Sequence, residues 1–343
     1  MKGRIINPLE DPDWNNLLLT GQNSTFFHTA NWARVLCETY RYTPVYFTII
    51  TGSTLSALLP VMAVKSLLTG TRGVSLPFTD HCPTIAESEE QYHTLVDRAI
   101  EYGKNAGWKT LELRNSRKPG RDAAPSANFY THTLDLSLGE ANLLKSFRNS
   151  TRRNINKAKR EGVTVEHLQT LDAVKAFYRL NCITRKHHGL PPQPFQFFKN
   201  IFRCVIAENH GFVVLAEFSK RIIAGAIFFH WGKEAMYKYG ASDRSFQYLR
   251  ANNLIMWEAV RWYAENGFEA LDFGRTEAEN DGLLQFKRGW GTTEQTLDYY
   301  KFDMKKQAYV PQSSGMKTSY PLLRKAPVPI LRLAGRLLYR HMG

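Results

Sequence analysis

One feature limits this chain more than any other: it repeats. Gly107-Trp108 and Gly267-Phe268 stand 267 − 107 = 160 positions apart, and at that offset Leu111, Glu112 and Leu113 fall on Leu271, Asp272 and Phe273. Around both points the hydropathy pattern spells one order: a strand, two helices, three strands, a helix and a strand. In the first half the strands are expected over 5–6, 45–50, 55–64, 73–78 and 110–113. The helices there open at Asp11-Pro12-Asp13, at Thr29 before Trp32 and Val35, and at Glu89. In the second half strands are expected over 163–165, 212–218, 222–230, 236–241 and 271–273, with helices over 171–186, 195–207 and 250–266. The 343 residues are therefore expected to bury two α/β cores rather than one, over 1–144 and 145–303, followed by a basic tail over 304–343.

Charge separates the tail from the body. The net charge is +14, yet no acidic residue follows Asp303, while Lys305, Lys306, Lys317, Arg324, Lys325, Arg332, Arg336 and Arg340 supply eight cations, leaving 14 − 8 = +6 for the rest. That excess is too modest to make the folded body a nucleic-acid binder on charge alone. Cys37, Cys82, Cys182 and Cys204 form no CxxC pair, which excludes a zinc ribbon and a disulfide scaffold and predicts buried thiols in a reducing compartment. Lys2 and Arg4 are followed by only two isoleucines before Asn7-Pro8, so no signal-peptide core is expected. No apolar run would span a bilayer, and a cytoplasmic protein is predicted. No Gly-x-Ser-x-Gly elbow or HExxH helix occurs, and the adjacent His187 and His188 would point apart on a helix. Neither a hydrolytic triad nor a metal site is expected.

The chemistry-bearing stretch is Asp272 to Gly291. A strand ends at Gly274, a polar loop follows, and Phe286 and Trp290, four apart, bracket Lys287 and Arg288. Cations beside aromatic walls suit an anionic or oxyanionic ligand, which makes Arg275, Lys287 and Trp290 candidate site residues. The plainer reading is a surface loop whose cations pair with Glu277, Glu279 and Asp281. A second basic stretch, Lys145, Arg148, Arg152, Arg153, Lys157, Lys159 and Arg160, has no acid until Glu161. As a helix it would offer a face to phosphate, or be simply a solvated face. Attack by an amine on an activated ester or thioester needs orientation, a place for the amine proton, and positive charge where the oxyanion develops, a task that suits Lys287.

Asp-Phe-Gly-Arg at 272–275, followed by Phe-Lys-Arg-Gly-Trp-Gly at 286–291, resembles the C-terminal signature of the Fem family of non-ribosomal peptidyltransferases. Other segments resemble that family as well. They are Arg152-Arg153 with Gly162-Val163, Thr184-Arg185 with Gly189, Tyr237-Lys238-Tyr239-Gly240-Ala241-Ser242, and Asp80 after Gly73 and Pro77. The resemblance implies an α/β fold of two tandem GNAT-like (acyl-CoA N-acyltransferase-like) domains with a site in the cleft between them. It also implies transfer of an aminoacyl group from charged tRNA to an amine of a cell-envelope precursor, peptidoglycan or polysaccharide, with no permanently bound cofactor. Phe286 and Lys287 would lie at the catalytic centre and Asp80 would place a carboxylate near the acceptor amine. Tyr237 and Tyr239, sharing one face of a strand, would line the acceptor site, and Arg185, Arg152 and Arg153 would meet phosphate or carboxylate.

Some features depart from that family. Leu36 stands where members that bind a muramyl pentapeptide carry a lysine, and no coiled-coil arm is present. The motif form is most similar to the polysaccharide- or exosortase-associated Fem-related proteins. Two other readings stay open. One is an acyl-CoA-dependent N-acetyltransferase acting on an amino sugar, although the segment that would cradle its pyrophosphate, 244–252, holds no glycine. The other is a catalytically idle tandem domain that binds RNA or an anionic polymer through the basic linker and tail. In the tail itself, Arg332, Arg336 and Arg340 oppose Ile330, Leu333, Ala334, Leu337 and Leu338. That pattern suits either docking on an anionic membrane surface at the inner face or docking on the first domain.

Overall fold

The computed structural model describes residues 3–114, 117–120, 123–311 and 321–342; Lys2, Lys317 and part of the loop over 115–126 lie outside them. The first half runs β1 (Arg4–Ile6), α1 (Trp14–Thr20), α2 (Ala30–Tyr40), β2 (Thr43–Thr51), β3 (Thr54–Ser66), β4 (Gly70–Val74), β5 (Ile85–Ala86), α3 (Glu89–Asn105) and β6 (Thr110–Arg114). The second opens with β7 (Ala127–Asp135), α4 (Glu140–Ser146), α5 (Asn149–Arg160), β8 (Thr164–Leu168), α6 (Leu171–His187) and α7 (Phe195–Ile201). It continues through β9 (Gly211–Phe218), β10 (Arg221–Trp231), β11 (Glu234–Ser242), α8 (Ala251–Glu265), β12 (Ala270–Asp272), β13 (Thr276–Glu277), α9 (Asp281–Arg288), β14 (Thr293–Asp303), β15 (Ala308–Tyr309) and α10 (Val328–Leu338).

Local chemistry explains several boundaries. Thr29 caps α2 by accepting a hydrogen bond from the Trp32 amide, as its position before the apolar face predicts. The β9–β10 hairpin turns through Ser219 and Lys220, both left-handed with φ of 50° and 61°, the arrangement whose twist matches paired strands. The strand expected over 73–78 stops at Val74, because Leu76 and Phe78 take φ of 56° and 61° on either side of Pro77. The helix expected over 195–207 is α-helical only to Ile201 and then widens into a π-type turn, Phe202–Ile206.

Two units emerge: residues 1–129 with 296–316 and 338–343, and residues 130–295 with 317–337. The changeovers fall at Tyr130 and Thr296, against 144/145 and 303/304 in the sequence reading, because the two halves exchange strands. In the first unit the order is β1-β2-β3-β4-β6-β14, with β14 antiparallel to β6 (Tyr300 opposite Leu113). In the second the order is β7-β12-β11-β10-β9-β8, with β7 antiparallel to β12 (Leu134 opposite Leu271) and β11 parallel to it. Each unit's strand edge is thus covered by a strand from the other half of the sequence.

The cores repeat the sequence offset. In the first unit Trp108, Leu111 and Leu113 are buried with Val45, Phe47, Leu59, Leu95 and Tyr300. Gly73 allows this, since a Cβ there would stand 2.1 Å from the Trp108 ring. In the second, Leu271 and Phe273 are buried with Leu134, Phe147, Phe228, Trp257, Tyr263 and Trp290, and Phe268 packs on Tyr263. The tail does not dock on the first unit as one piece. Helix α10 lies on the second unit, with Leu331 buried and Arg332 over the Tyr178 ring. Only the last turn packs in the first unit, where the Tyr42 hydroxyl donates to the carbonyls of Tyr339 and Arg340.

Candidate active site in the second unit

The opening of α8 is the place to begin. After Ser242 the chain makes a 3-10 turn, and Arg250, left-handed at φ 61°, ends that turn and starts a 15-residue helix with no acidic residue in its first turn. The start of α5 is tied to the end of α9, because the Gly289 carbonyl accepts from both the Arg148 amide and the Thr151 hydroxyl, each at 2.9 Å. A Cβ on Gly289 would stand 2.6 Å from that hydroxyl, so a glycine is required there. The starts of α5 and α8 and residues 282–286 of α9, with Ile223, Ala224 and Tyr237, line an open cavity of about 490 Å³. That is ligand-sized.

Its lining is anion-seeking. Arg148 and Arg250 bring guanidinium groups, Asn154, Asn252 and Asn253 bring amides, and Ser150 and Thr151 bring hydroxyls. The α8 N-terminus adds the positive end of a helix dipole. The single lining carboxylate, Asp243, is occupied: it accepts from Ser245 and lies 2.8 Å from an Arg221 guanidinium nitrogen. The Ser245 hydroxyl, more than the arginine, holds it below the usual carboxylate range. The turn that lacks glycine therefore leaves an open cavity built from side chains.

Tyr237 and Tyr239 do not share a face. On β11 the partner of Ile227 is Tyr239 and the partner of Phe228 is Tyr237, so Lys238 is an extra residue, a β-bulge that reverses the alternation. Tyr237 reaches the cavity and packs on Phe228. Tyr239 packs instead on Phe197 and Phe198 of α7. Burial pushes the Tyr237 hydroxyl up to about 12, so it serves as a neutral hydrogen-bonding group. Gly240 makes room for it, since a Cβ there would stand 1.7 Å from that hydroxyl oxygen.

Helix α9 divides two environments. Phe286 lines the cavity, whereas Lys287, one residue on, is only 1% exposed and donates to the carbonyls of Gly274 at 2.6 Å and Arg275 at 3.3 Å. The same turn is held from its other side by Asp272, which accepts from the Gly274 amide at 2.6 Å and the Thr131 hydroxyl at 2.8 Å. Beside them the buried His132 Nε2 lies 2.8 Å from Glu294, which also accepts two bonds from Arg288 at 2.7 and 2.8 Å. Burial first, then the nearby Lys287 charge, keeps His132 below its ordinary value and so neutral at pH 7. His132 Nδ1, Thr276 Oγ1 and Trp290 Nε1 are buried without a hydrogen-bond partner. Each such atom costs about 1–3 kcal/mol. An ammonium next to a neutral imidazole is an arrangement that can stabilise negative charge and take up a proton.

The other sequence candidates are placed as follows. Trp290 is fully buried against Phe147, Phe273 and Phe286. Arg275 meets Lys287 through its carbonyl, and Arg288 pairs with Glu294 rather than with the loop acids Glu277, Glu279 and Asp281. Arg152, bonded to the Asn149 side chain, and Arg153, exposed, sit on α5 beyond the cavity lining. Arg185 donates to the Pro191 carbonyl at 3.4 Å. Asp80 belongs to the first unit, where its carbonyl accepts from the Tyr299 hydroxyl at 2.7 Å. Sequence reading named Arg148 only within the basic stretch and did not single out Arg250, Asn253 or His132. A cation at the first position of the expected 250–266 helix is a usable signal for Arg250; a lone histidine in an alternating strand carries none.

Comparison with known proteins bears on the fold. Residues 145–288 match the family described as the acetyltransferase (GNAT) domain, a span that includes every residue lining the cavity. Among solved structures, FemX is 16% identical over 87% of this chain and 97% of that one, with a TM-score of 0.67. L-PGS from Bacillus licheniformis is 11% identical over 95% and 97%, with a TM-score of 0.54. A tandem GNAT protein from the clavulanic acid biosynthesis pathway is 9% identical over 88% and 98%, with a TM-score of 0.53. A search of curated proteins gave no match. The fold is therefore a tandem of GNAT-like α/β units, and the second contains the matched domain. Among the described residues no helix is long and apolar enough to cross a membrane, and no group of three His, Cys, Asp or Glu side chains could hold a metal ion.

Proposed function

We propose that the protein is an acyltransferase that joins an acyl or aminoacyl group to an amine of a cell-envelope precursor. The observation that carries this is the cavity at the start of α8, where Arg148, Arg250 and a helix N-terminus converge inside the GNAT-matched segment. Such a site suits the phosphate of a charged tRNA or the pyrophosphate of acyl-CoA. The amine attacks the donor carbonyl, a C–N bond forms, and the C–O or C–S bond to the donor breaks as the leaving group takes a proton. In this reading Phe286 shapes the acyl end on the cavity side of α9, and the Lys287 ammonium and neutral His132, which stand outside the cavity lining, steady the oxyanion and take up the amine proton where the reacting carbonyl passes beyond Phe286. Arg185, Arg275, Arg152 and Arg153 of the same unit are assigned to the anionic groups of acceptor or donor. The likeness to FemX and L-PGS supports envelope chemistry through the fold.

The test offers charged tRNA and acyl-CoA separately, each with a labelled acyl group, together with crude envelope extract. Label in an amide product with one donor supports the proposal. Absence of transfer from both, with donor binding intact, would favour the idle binding module instead.

A further inference from the structure

Helix α10 presents three edges. One lies against the second unit: Leu331 is fully buried, and a Cβ on Gly335 would stand 1.9 Å from the Pro192 carbonyl oxygen. Glycine is unfavourable inside a helix, and this close approach is the reason it stands here. The second edge is cationic, with Arg332 over the Tyr178 ring at 5.4 Å and Arg336 exposed one turn further on. The third is Ile330, Leu333 and Leu337, spaced i, i+3, i+7 on one stripe and 57%, 58% and 60% exposed. At about 100° per residue the stripe faces away from Leu331 and Gly335. The glycine contact thus fixes the helix in the rotation that turns three large aliphatic side chains outward.

We propose that this ridge docks on a membrane surface rich in anionic lipid. The aliphatic side chains would enter the boundary between headgroups and acyl chains, and the flanking cations would meet lipid phosphates. Charge decides the occupant. Arg332 and Arg336 flank the ridge on the same helix, Arg324, Lys325 and Arg340 are close to it in sequence, and no acidic residue follows Asp303, so a second copy of the chain would bring like charges together, whereas an anionic bilayer neutralises them. The first unit carries apolar groups of its own near the end of the chain. Leu67 and Leu68, after β3, are 96% and 68% exposed, and Ser66 and Arg72 of the same hairpin bond His341, next to exposed Met342.

The experiment is co-sedimentation of the full chain with vesicles of phosphatidylglycerol mixed with phosphatidylcholine, and with phosphatidylcholine alone. No donor or acceptor is present, so the outcome is independent of transfer activity. Wild type is expected to sediment with the mixed vesicles only. The double variant Leu333→Ser/Leu337→Ser should bind at least about tenfold more weakly, and Arg336→Gln/Arg340→Gln should bind more weakly with a shallower salt dependence. All four side chains are exposed, so circular dichroism and Tm should match wild type. Failure of wild type to bind either vesicle, or full retention by the leucine variant, overturns the proposal. So does a wild-type dimer that the leucine variant converts to monomer without any vesicle binding, because the ridge then belongs to a second copy.

Discussion

Helices α3 and α8 occupy the same place in the two repeats, and their first turns have opposite electrostatics. Helix α3 is capped by Ser88 and begins with Glu89 and Glu90, which neutralise the positive end of its own dipole and repel an anion. Helix α8 begins after Arg250 with Ala251, Asn252 and Asn253, has no acid in its first turn, and opens into the cavity that Arg148 also lines. One helix start closes itself; the other is left for a ligand. The repeat pairs Glu112 with Asp272 in the same way. Glu112 forms a 2.8 Å ion pair with Arg114, whereas Asp272 shapes the turn on which Lys287 rests. Two frames of the same element order are present, and the function proposed above assigns the donor to the second.

The sharpest way to break that contrast is Lys287→Met. It should lower kcat by about 10²–10³-fold, the scale of losing one oxyanion-stabilising group. It should also reduce Tm, because two buried carbonyls lose their donor. A variant that loses Tm but keeps kcat would make the lysine a strut only. Next is Arg250→Glu, which gives α8 the acidic start of α3. Donor affinity should fall about 100-fold, the effect of removing and reversing a charge-assisted contact. In the first unit, Glu89→Gln/Glu90→Gln should leave donor affinity unchanged, and equal effects in the two units, read by titration calorimetry, would erase the distinction.

A smaller effect is expected from Gly240→Ala. Its Cβ displaces the Tyr237 hydroxyl from the cavity floor, and KM for the donor should rise about tenfold with kcat little changed. The smallest concerns stability rather than catalysis. His28 in the first unit is fully buried, and burial holds it at about 4, below the unfolded value. Its neutral form is the folded one, so its contribution is complete above about pH 6.5 and is lost as pH falls toward 4. Moving from pH 7 to pH 5 should cost about 2 kcal/mol through this residue. His28→Gln should flatten that part of the Tm–pH curve, and an unchanged slope would place the acid sensitivity elsewhere.

How much of this was readable beforehand depends on whether the determinant is local. The repeat, the Thr29 cap and the Ser219-Lys220 hairpin follow from short-range patterns, and the element order follows with them. The exchange of β7 and β14 between the two halves of the sequence does not, since strand pairing is settled by distant edges. Nor does the bulge at Lys238, where one extra residue separates two tyrosines that simple alternation puts together. The signature Phe286-Lys287 was visible as a motif, but not that neighbouring side chains on α9 would serve different environments. The cavity depended on Arg250 adopting a left-handed backbone, a conformation that residue type alone does not announce.

Whether the second unit's helix start holds the donor can be read from hydrogen–deuterium exchange with and without saturating donor. Slowed exchange is expected at the amides of 148–154, 250–253 and 282–286. Slowed exchange confined to 76–91, around the start of α3, would contradict it.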